Sequence, residues 1–136
     1  MNALSARTIH EALGIQFTEL GEDFLEATMP VDHRTHQPSG LLHGGASVVL
    51  AESLGSVASL LHVGVEEVLS RRVSCVGIEI NANHLRSIQS GTVRGRATPV
   101  RIGKTLHVWN IQIYDVAQGH EICRSRLTVM VQRHSS

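Results

Sequence analysis

The segment GLLHGGASVVLAESLGSVASLLH runs from Gly40 to His62 with one full charge, Glu52, and no other Asp, Glu, Lys or Arg lies between Arg34 and Glu66. An apolar run of about twenty residues is too long for a strand and reads as a helix. Leu50, Leu54, Val57 and Leu61 recur on one face at helical spacing, as suits a helix lying on a sheet. Glu52 points roughly the opposite way, and its neighbours there are Gly45, Val49, Gly55, Ser56 and Ser59. Small residues let another backbone come close. Both faces therefore read as covered, one by the chain's own sheet and the other by a different surface. Lipid is a poor candidate for that second surface, because Glu52, His43 and the glycines and serines interrupt the run.

The segments around this helix set the fold class. Residues 5–13 read as a short helix capped by Ser5 and stopped by Gly14. Residues 15–20 and 23–29 read as a hairpin turned by Gly21, Glu22 and Asp23. The polar stretch VDHRTHQPSG is a loop, and so is 63–72. Beyond it the period switches to two. In VSCVGIEINANH, the residues Val76, Ile78, Ile80, Ala82 and His84 share one face. GTVRGRATPV, TLHVWNIQIYDV and EICRSRLTVMVQ follow as strands. Four strands in a row after one helix predict an α+β fold, with an antiparallel sheet wrapped around one long central helix. A chain of 136 residues with 42% hydrophobic content fits a single domain over 1–136.

Composition removes several function classes. A formal net charge of zero gives no support to a nucleic-acid partner. Cys75 and Cys123 are far apart, lack metal-type spacing and sit in apolar strands, so they read as small core residues in a reducing compartment. The first residues, MNALSARTIHEALG, show no apolar h-region, so no signal peptide is expected, and neither is a membrane partner; a cytoplasmic location is expected. Nine histidines invite a metal hypothesis. His33, His36 and His43 cluster in sequence but form no recognisable ligand set, so no metal is expected. Trp109 reads as a core or interface anchor, and Arg94, Arg96, Arg124 and Arg126 as a solvated strand face.

A carboxylate buried without a partner is costly, so the fold must hydrogen-bond it, neutralise it or use it. An ion pair with an arginine from elsewhere is the structural alternative to catalysis. His43-Gly44-Gly45 opens the helix, where backbone N–H groups carry the positive end of the dipole. Such an N–H could polarise a carbonyl oxygen. Gly44 and Glu52 are eight residues apart, about 12 Å along a helix axis.

The string HQPSGLLHGGASVVLAESLGSVAS, with GIEINANHLRS downstream, resembles the hotdog-fold acyl-CoA thioesterases. Within them it resembles the glutamate-type branch of 4-hydroxybenzoyl-CoA and 1,4-dihydroxy-2-naphthoyl-CoA thioesterases and the enterobactin proofreading thioesterase. The resemblance spans nearly the whole chain. It implies hydrolysis of an acyl-CoA, aromatic in its acyl part, to free acid and coenzyme A, with no cofactor beyond the substrate. It also implies a homotetramer built from dimers with sites shared between subunits. By position, Glu52 would be nucleophile or general base and Gly44 the polarising N–H. Gln37 and His43 would flank the reacting group, and Ser56 would reach it from the neighbouring subunit. His84, Arg86, Gly103 and Lys104 would hold the coenzyme A nucleotide. Ser39 stands where close relatives often have an aromatic residue. A hydratase or dehydratase on the same fold and a non-catalytic acyl-CoA-binding protein are the alternatives.

Overall fold

The structure, a computed structural model, describes residues 2–134. Six strands form one antiparallel sheet in the order β1-β2-β4-β5-β6-β3. They span Gln16–Leu20 (β1), Leu25–Val31 (β2), Val73–His84 (β3), Gly91–Ile102 (β4), Leu106–Asp115 (β5) and Glu121–Arg133 (β6). Three helices accompany them, Ile9–Leu13 (α1), Gly44–Val63 (α2) and Val65–Leu69 (α3). The long helix α2 lies against β2 through β6. The core forms between them, from Leu50, Leu54 and Ala51 on the helix and Leu25, Met29, Val93, Ile111, Ile113, Leu127 and Val129 on the strands. By length and composition alone α2 could cross a membrane. Half of it is buried inside the protein, where the sheet takes up its apolar face.

Four expectations need correction. The first helix starts at Ile9, not at residue 5. Arg7 sits at φ 62, outside helical backbone, and Thr8 is the cap that accepts from His10 N–H. Ser5 ends a short 3-10 turn instead, and its hydroxyl meets His10 Nδ1 at 3.2 Å. Gly14 stops the helix as expected, at φ 73. The segment 63–72 is not all loop, because it contains α3.

The third correction concerns β3. A bulge between Gly77 and Glu79 shifts its register against β6. Ile80 and Ala82 pack on the core beyond the bulge, while Val76 before it and Ile78 within it are 49% and 50% exposed. One extra residue moves every following side chain to the other face, so the five-residue face read from alternation is two half-faces.

The fourth concerns α2. Gly55 and Ser59 face the chain's own sheet, not a second surface. A carbon on Gly55 would lie 2.4 Å from Leu127 Cδ2, so the glycine admits that side chain. Ser59 is fully buried, and its hydroxyl accepts from Trp109 Nε1–H at 2.7 Å and meets His107 Nδ1 at 2.8 Å. Trp109 is thus a core residue, as expected, at 5% exposure. The four arginines are exposed on alternate strand positions. Arg96 pairs with Glu26 and stacks on the Phe24 ring, and Arg124 pairs with Glu121.

Candidate active site

The loop before α2 is held by its own backbone. Gln37 N–H donates to Leu41 C=O at 2.8 Å, and His43 N–H donates to Thr35 C=O at 2.8 Å. These bonds aim residues 37–43 at the start of the helix. His43 is the helix cap, and its Nδ1 accepts from Gly45 N–H at 2.7 Å. Ala46 and Ser47 N–H both donate to His43 C=O. That leaves one free donor in the first turn. Among the described residues the Gly44 N–H has no partner.

Gly44 lines a cleft of about 420 Å³ with Gln37, Ser47, His84, Arg86 and Ser87. A carbon on Gly44 would lie 2.9 Å from His84 Nε2, so the imidazole packs directly on the glycine. His84 is exposed and not a core histidine. The side-chain oxygen of Gln37 accepts from Ser39 N–H. That contact fixes the amide with its oxygen engaged, leaving its NH₂ donors available. The Gly44 N–H and the Gln37 amide thus offer donors to the cleft, with the cation Arg86 at one side, which suits a carbonyl oxygen and phosphates.

Glu52 is elsewhere in the chain. It is exposed and lines a separate recess of about 240 Å³ with Gly77, Ile78, Glu79, Ile80 and Leu127. Among the described residues its carboxylate makes no hydrogen bond and no ion pair, so the arginine alternative finds no partner. Ser56, one turn on, is half-buried. Gly103 and Lys104 lie outside both recesses. Gly103 N–H donates to Leu106 C=O at 2.8 Å to close the β4–β5 turn, and Lys104 C=O accepts from Arg133 at 2.7 Å. A carbon on Gly103 would meet that Leu106 oxygen at 2.9 Å, which gives the glycine a structural reason of its own. Of the nine expected site residues, one chain thus brings together Gln37, Gly44, His84 and Arg86, with His43 as their cap. It does not bring Glu52, Ser56, Gly103 or Lys104 to them.

Gly77 was not anticipated. A carbon there would lie 2.9 Å from Glu52 Oε2. An isolated glycine inside an apolar strand was the available signal, since it marks a bulge or a close approach. For metals, no group of three His, Cys, Asp or Glu side chains among the described residues is arranged to hold an ion. His36 Nε2 is instead engaged with Gln89 C=O at 2.8 Å.

Comparison with known proteins gives a consistent answer. The profile of the thioesterase superfamily matches residues 39–122. The proofreading thioesterase EntH of Cronobacter turicensis is 52% identical over 96% of this chain and 90% of its own. The 1,4-dihydroxy-2-naphthoyl-CoA hydrolase of Escherichia coli is 50% identical over 96% of this chain and 91% of its own. The crystal structure of a Haemophilus influenzae thioesterase superposes with TM-score 0.89 at 46% identity, over 97% of this chain and 87% of that one. A Staphylococcus aureus protein, 30% identical with TM-score 0.84 over 93% of this chain and 99% of that one, has been crystallised with a glutamate changed to alanine. The same protein has been crystallised with a glutamine changed to alanine, fifteen positions before that glutamate, and Gln37 and Glu52 are also fifteen apart (52 − 37). The sheet around one long helix is the hotdog fold expected from the sequence. With about half of its residues shared with such relatives over nearly their full length, the chain belongs to the thioesterase superfamily.

Proposed function

We propose that this thioester hydrolase cleaves acyl-CoA thioesters at a site completed by a second copy of the chain. The observation that carries this is the division of the chemistry. The cleft at the start of α2 offers a free Gly44 N–H and the donors of Gln37, while the only carboxylate on the helix, Glu52, stands unpartnered in another recess. A donor set without a carboxylate and a carboxylate without donors complement each other when two copies meet. The edge strand β3 supports such a meeting. It is twelve residues long, pairs on one side only and exposes Val76 and Ile78 next to the Glu52 recess. Natural sheets leave a long apolar edge bare only where something covers it.

In this arrangement the thioester carbonyl accepts from Gly44 N–H, where the helix dipole favours developing negative charge. Gln37 and His43 flank the carbonyl. Glu52 of the partner subunit attacks the carbonyl carbon, or takes a proton from the water that does. Ser56 of the partner subunit lies one turn beyond that carboxylate. Breaking the carbon–sulfur bond expels coenzyme A as a thiolate, which takes up a proton from the water consumed; where the carboxylate itself attacks, that water then opens the resulting anhydride, releasing the free acid and restoring Glu52. His84 and Arg86 meet the coenzyme A portion, and Gly103 and Lys104 join them only from a different copy, which is consistent with a dimer of dimers. The acyl group is aromatic, as the named substrate of the E. coli relative is.

The names of the relatives favour hydrolysis over hydration or dehydration. The test is Glu52→Gln, read by thiol release from benzoyl- and naphthoyl-CoA and by thermal melting. Turnover is expected to fall by about a hundredfold to ten-thousandfold. Melting temperature should hold, because the carboxylate has no partner to orphan. A variant that keeps most of its turnover removes Glu52 from the chemistry. A panel in which acetyl-CoA is the best substrate overturns the aromatic preference.

A further inference from the structure

The tip of one imidazole rests on the first residue of α2. A carbon on Gly44 would lie 2.9 Å from His84 Nε2, 3.2 Å from its Cε1 and 3.4 Å from its Cδ2, the three nearest atoms outside the glycine's own stretch of chain. The ring therefore points its Nε2 corner at the glycine. Strand geometry puts it there. Beyond the bulge of β3, Ile80, Ala82 and His84 alternate onto the face that meets α2, and His84 pairs with the buried Cys123. The N–H groups of Leu85 and Arg86 both donate to Ile122 C=O, at 2.8 and 3.3 Å, and Leu42 N–H donates to Ile88 C=O at 2.9 Å. These bonds tie the end of β3 to β6 and to the loop before the helix.

We propose that His84 is a catalytic residue, the second donor to the thioester oxygen that the Gly44 N–H polarises. The inference rests on the acyl-CoA reading given above. The nitrogen of Gly44 and a carbon on its Cα stand about 2.5 Å apart. His84 Nε2, 2.9 Å from that carbon, is then no more than about 5.4 Å from the nitrogen. Two hydrogen bonds of about 2.9 Å meet on one oxygen when their donors are up to about 5.8 Å apart. A carbonyl oxygen has two lone pairs, and the Gly44 N–H fills one of them. When the carbonyl carbon is attacked, negative charge gathers on that oxygen and both bonds strengthen. The donation moves no proton.

The ring is free to serve. Among the described residues the histidine rings in hydrogen bonds are those of His10, His36, His43, His107 and His134, and His84 makes none. It is exposed and lines the cleft. Its place there also separates it from Arg86. The oxygen bound at Gly44 belongs to the acyl end of the substrate, a whole pantetheine arm away from the nucleotide. A ring that touches Gly44 serves the thioester, and Arg86, the cation of the cleft, is left for the phosphates. Gly44 gains a second reason to be glycine, since a side chain there would push the Nε2 corner away.

The test is a set of His84 variants read by thiol release from benzoyl-CoA, by inhibition with free coenzyme A and by thermal melting. In His84→Ala, kcat should fall by about a hundredfold, as on loss of one donor to such an oxygen. kcat/KM should fall with it, the sign of a bond made only in the transition state, while KM and the inhibition constant of coenzyme A stay within about twofold. Melting temperature should hold, because the exposed ring makes no bond within the chain. His84→Gln, whose amide nitrogen can reach the place of Nε2, should recover about tenfold of the loss, and His84→Asn, one carbon shorter, should not. A His84→Ala protein with wild-type kcat, a raised KM and weaker inhibition by coenzyme A puts the ring at the nucleotide and overturns the inference while the acyl-CoA reading stands. A wild-type protein that releases thiol from no acyl-CoA sinks both.

Discussion

A side-chain carbon placed on Gly77 would lie 2.9 Å from Glu52 Oε2. The bulge of β3 therefore brings bare backbone against the carboxylate and decides where it stands. Gly77→Ala should displace the carboxylate while leaving the core alone, since the clashing atom is the end of an exposed, flexible side chain. A misplacement of about 1 Å can cost about a hundredfold in rate. Thioester turnover should fall by about tenfold to a hundredfold with little change in melting temperature. A variant with wild-type turnover would show that Gly77 only shapes the strand.

The same glycine shows where sequence reading stopped. The helix, its apolar face and the antiparallel strands were legible because each depends on a period local to its own segment. Glu52 stood out for the same reason, as one charge in an apolar run. The bulge was not legible, because Val76, Ile78, Ile80 and Ala82 alternate as a regular strand does, and only pairing with β6 reveals the extra residue. Nor was the cap. The two glycines at 44 and 45 suggested two bare N–H groups, but the His43 ring returns to take one of them. Nor does the sequence around Ser59 reveal its face, because its partners, Trp109 and His107, lie about fifty residues away on β5.

Gly55 offers a test of packing. A carbon there would stand 2.4 Å from Leu127 Cδ2, and Leu127 is fully buried and cannot swing aside. Gly55→Ala gains helix propensity but overpacks the interface of α2 with β6. Overpacking a well-filled core costs about 1–3 kcal/mol. Chemical denaturation should show that loss, while Ser56→Ala, one position on and half-buried, should stay within about 0.5 kcal/mol. Equal stability of the two variants would contradict the tight approach.

His107 gives the fold an acid sensitivity. It is buried at 3% exposure and sits edge-on to His62 and Trp109. Burial, then the nearby His62 and Arg133, hold it below the ordinary imidazole value. Burial also lowers His10. A depressed folded pKa means that the unfolded chain takes up the proton first. The stabilising contribution is complete above about pH 6.5 and is lost as pH falls below that, by up to about 1.4 kcal/mol per pH unit for each such group. Melting temperature should therefore drop between about pH 7 and pH 5, and His107→Asn should drop less steeply. An unchanged slope in that variant would remove His107 as a source.

The exposed pair Val76 and Ile78 tests whether activity needs a second copy. They stand on the edge strand β3, at 49% and 50% exposure, and Ile78 also lines the Glu52 recess. Neither supports the core of its own chain, because the bulge turns them away from it. A charge at either position would cost the folded monomer little, since exposed substitutions fall within about 0.5 kcal/mol. At a buried contact between two edges the same charge is left without a partner, and that cost recurs on both copies across a twofold axis. Ile78→Asp should therefore lower the mass measured by light scattering while the chain still melts cooperatively. Turnover should fall with the mass, and raising protein concentration should restore part of both. The decisive outcome is a folded, monomeric Ile78→Asp protein with full turnover, which would mean that one chain brings Gly44 and Glu52 to the same thioester without help.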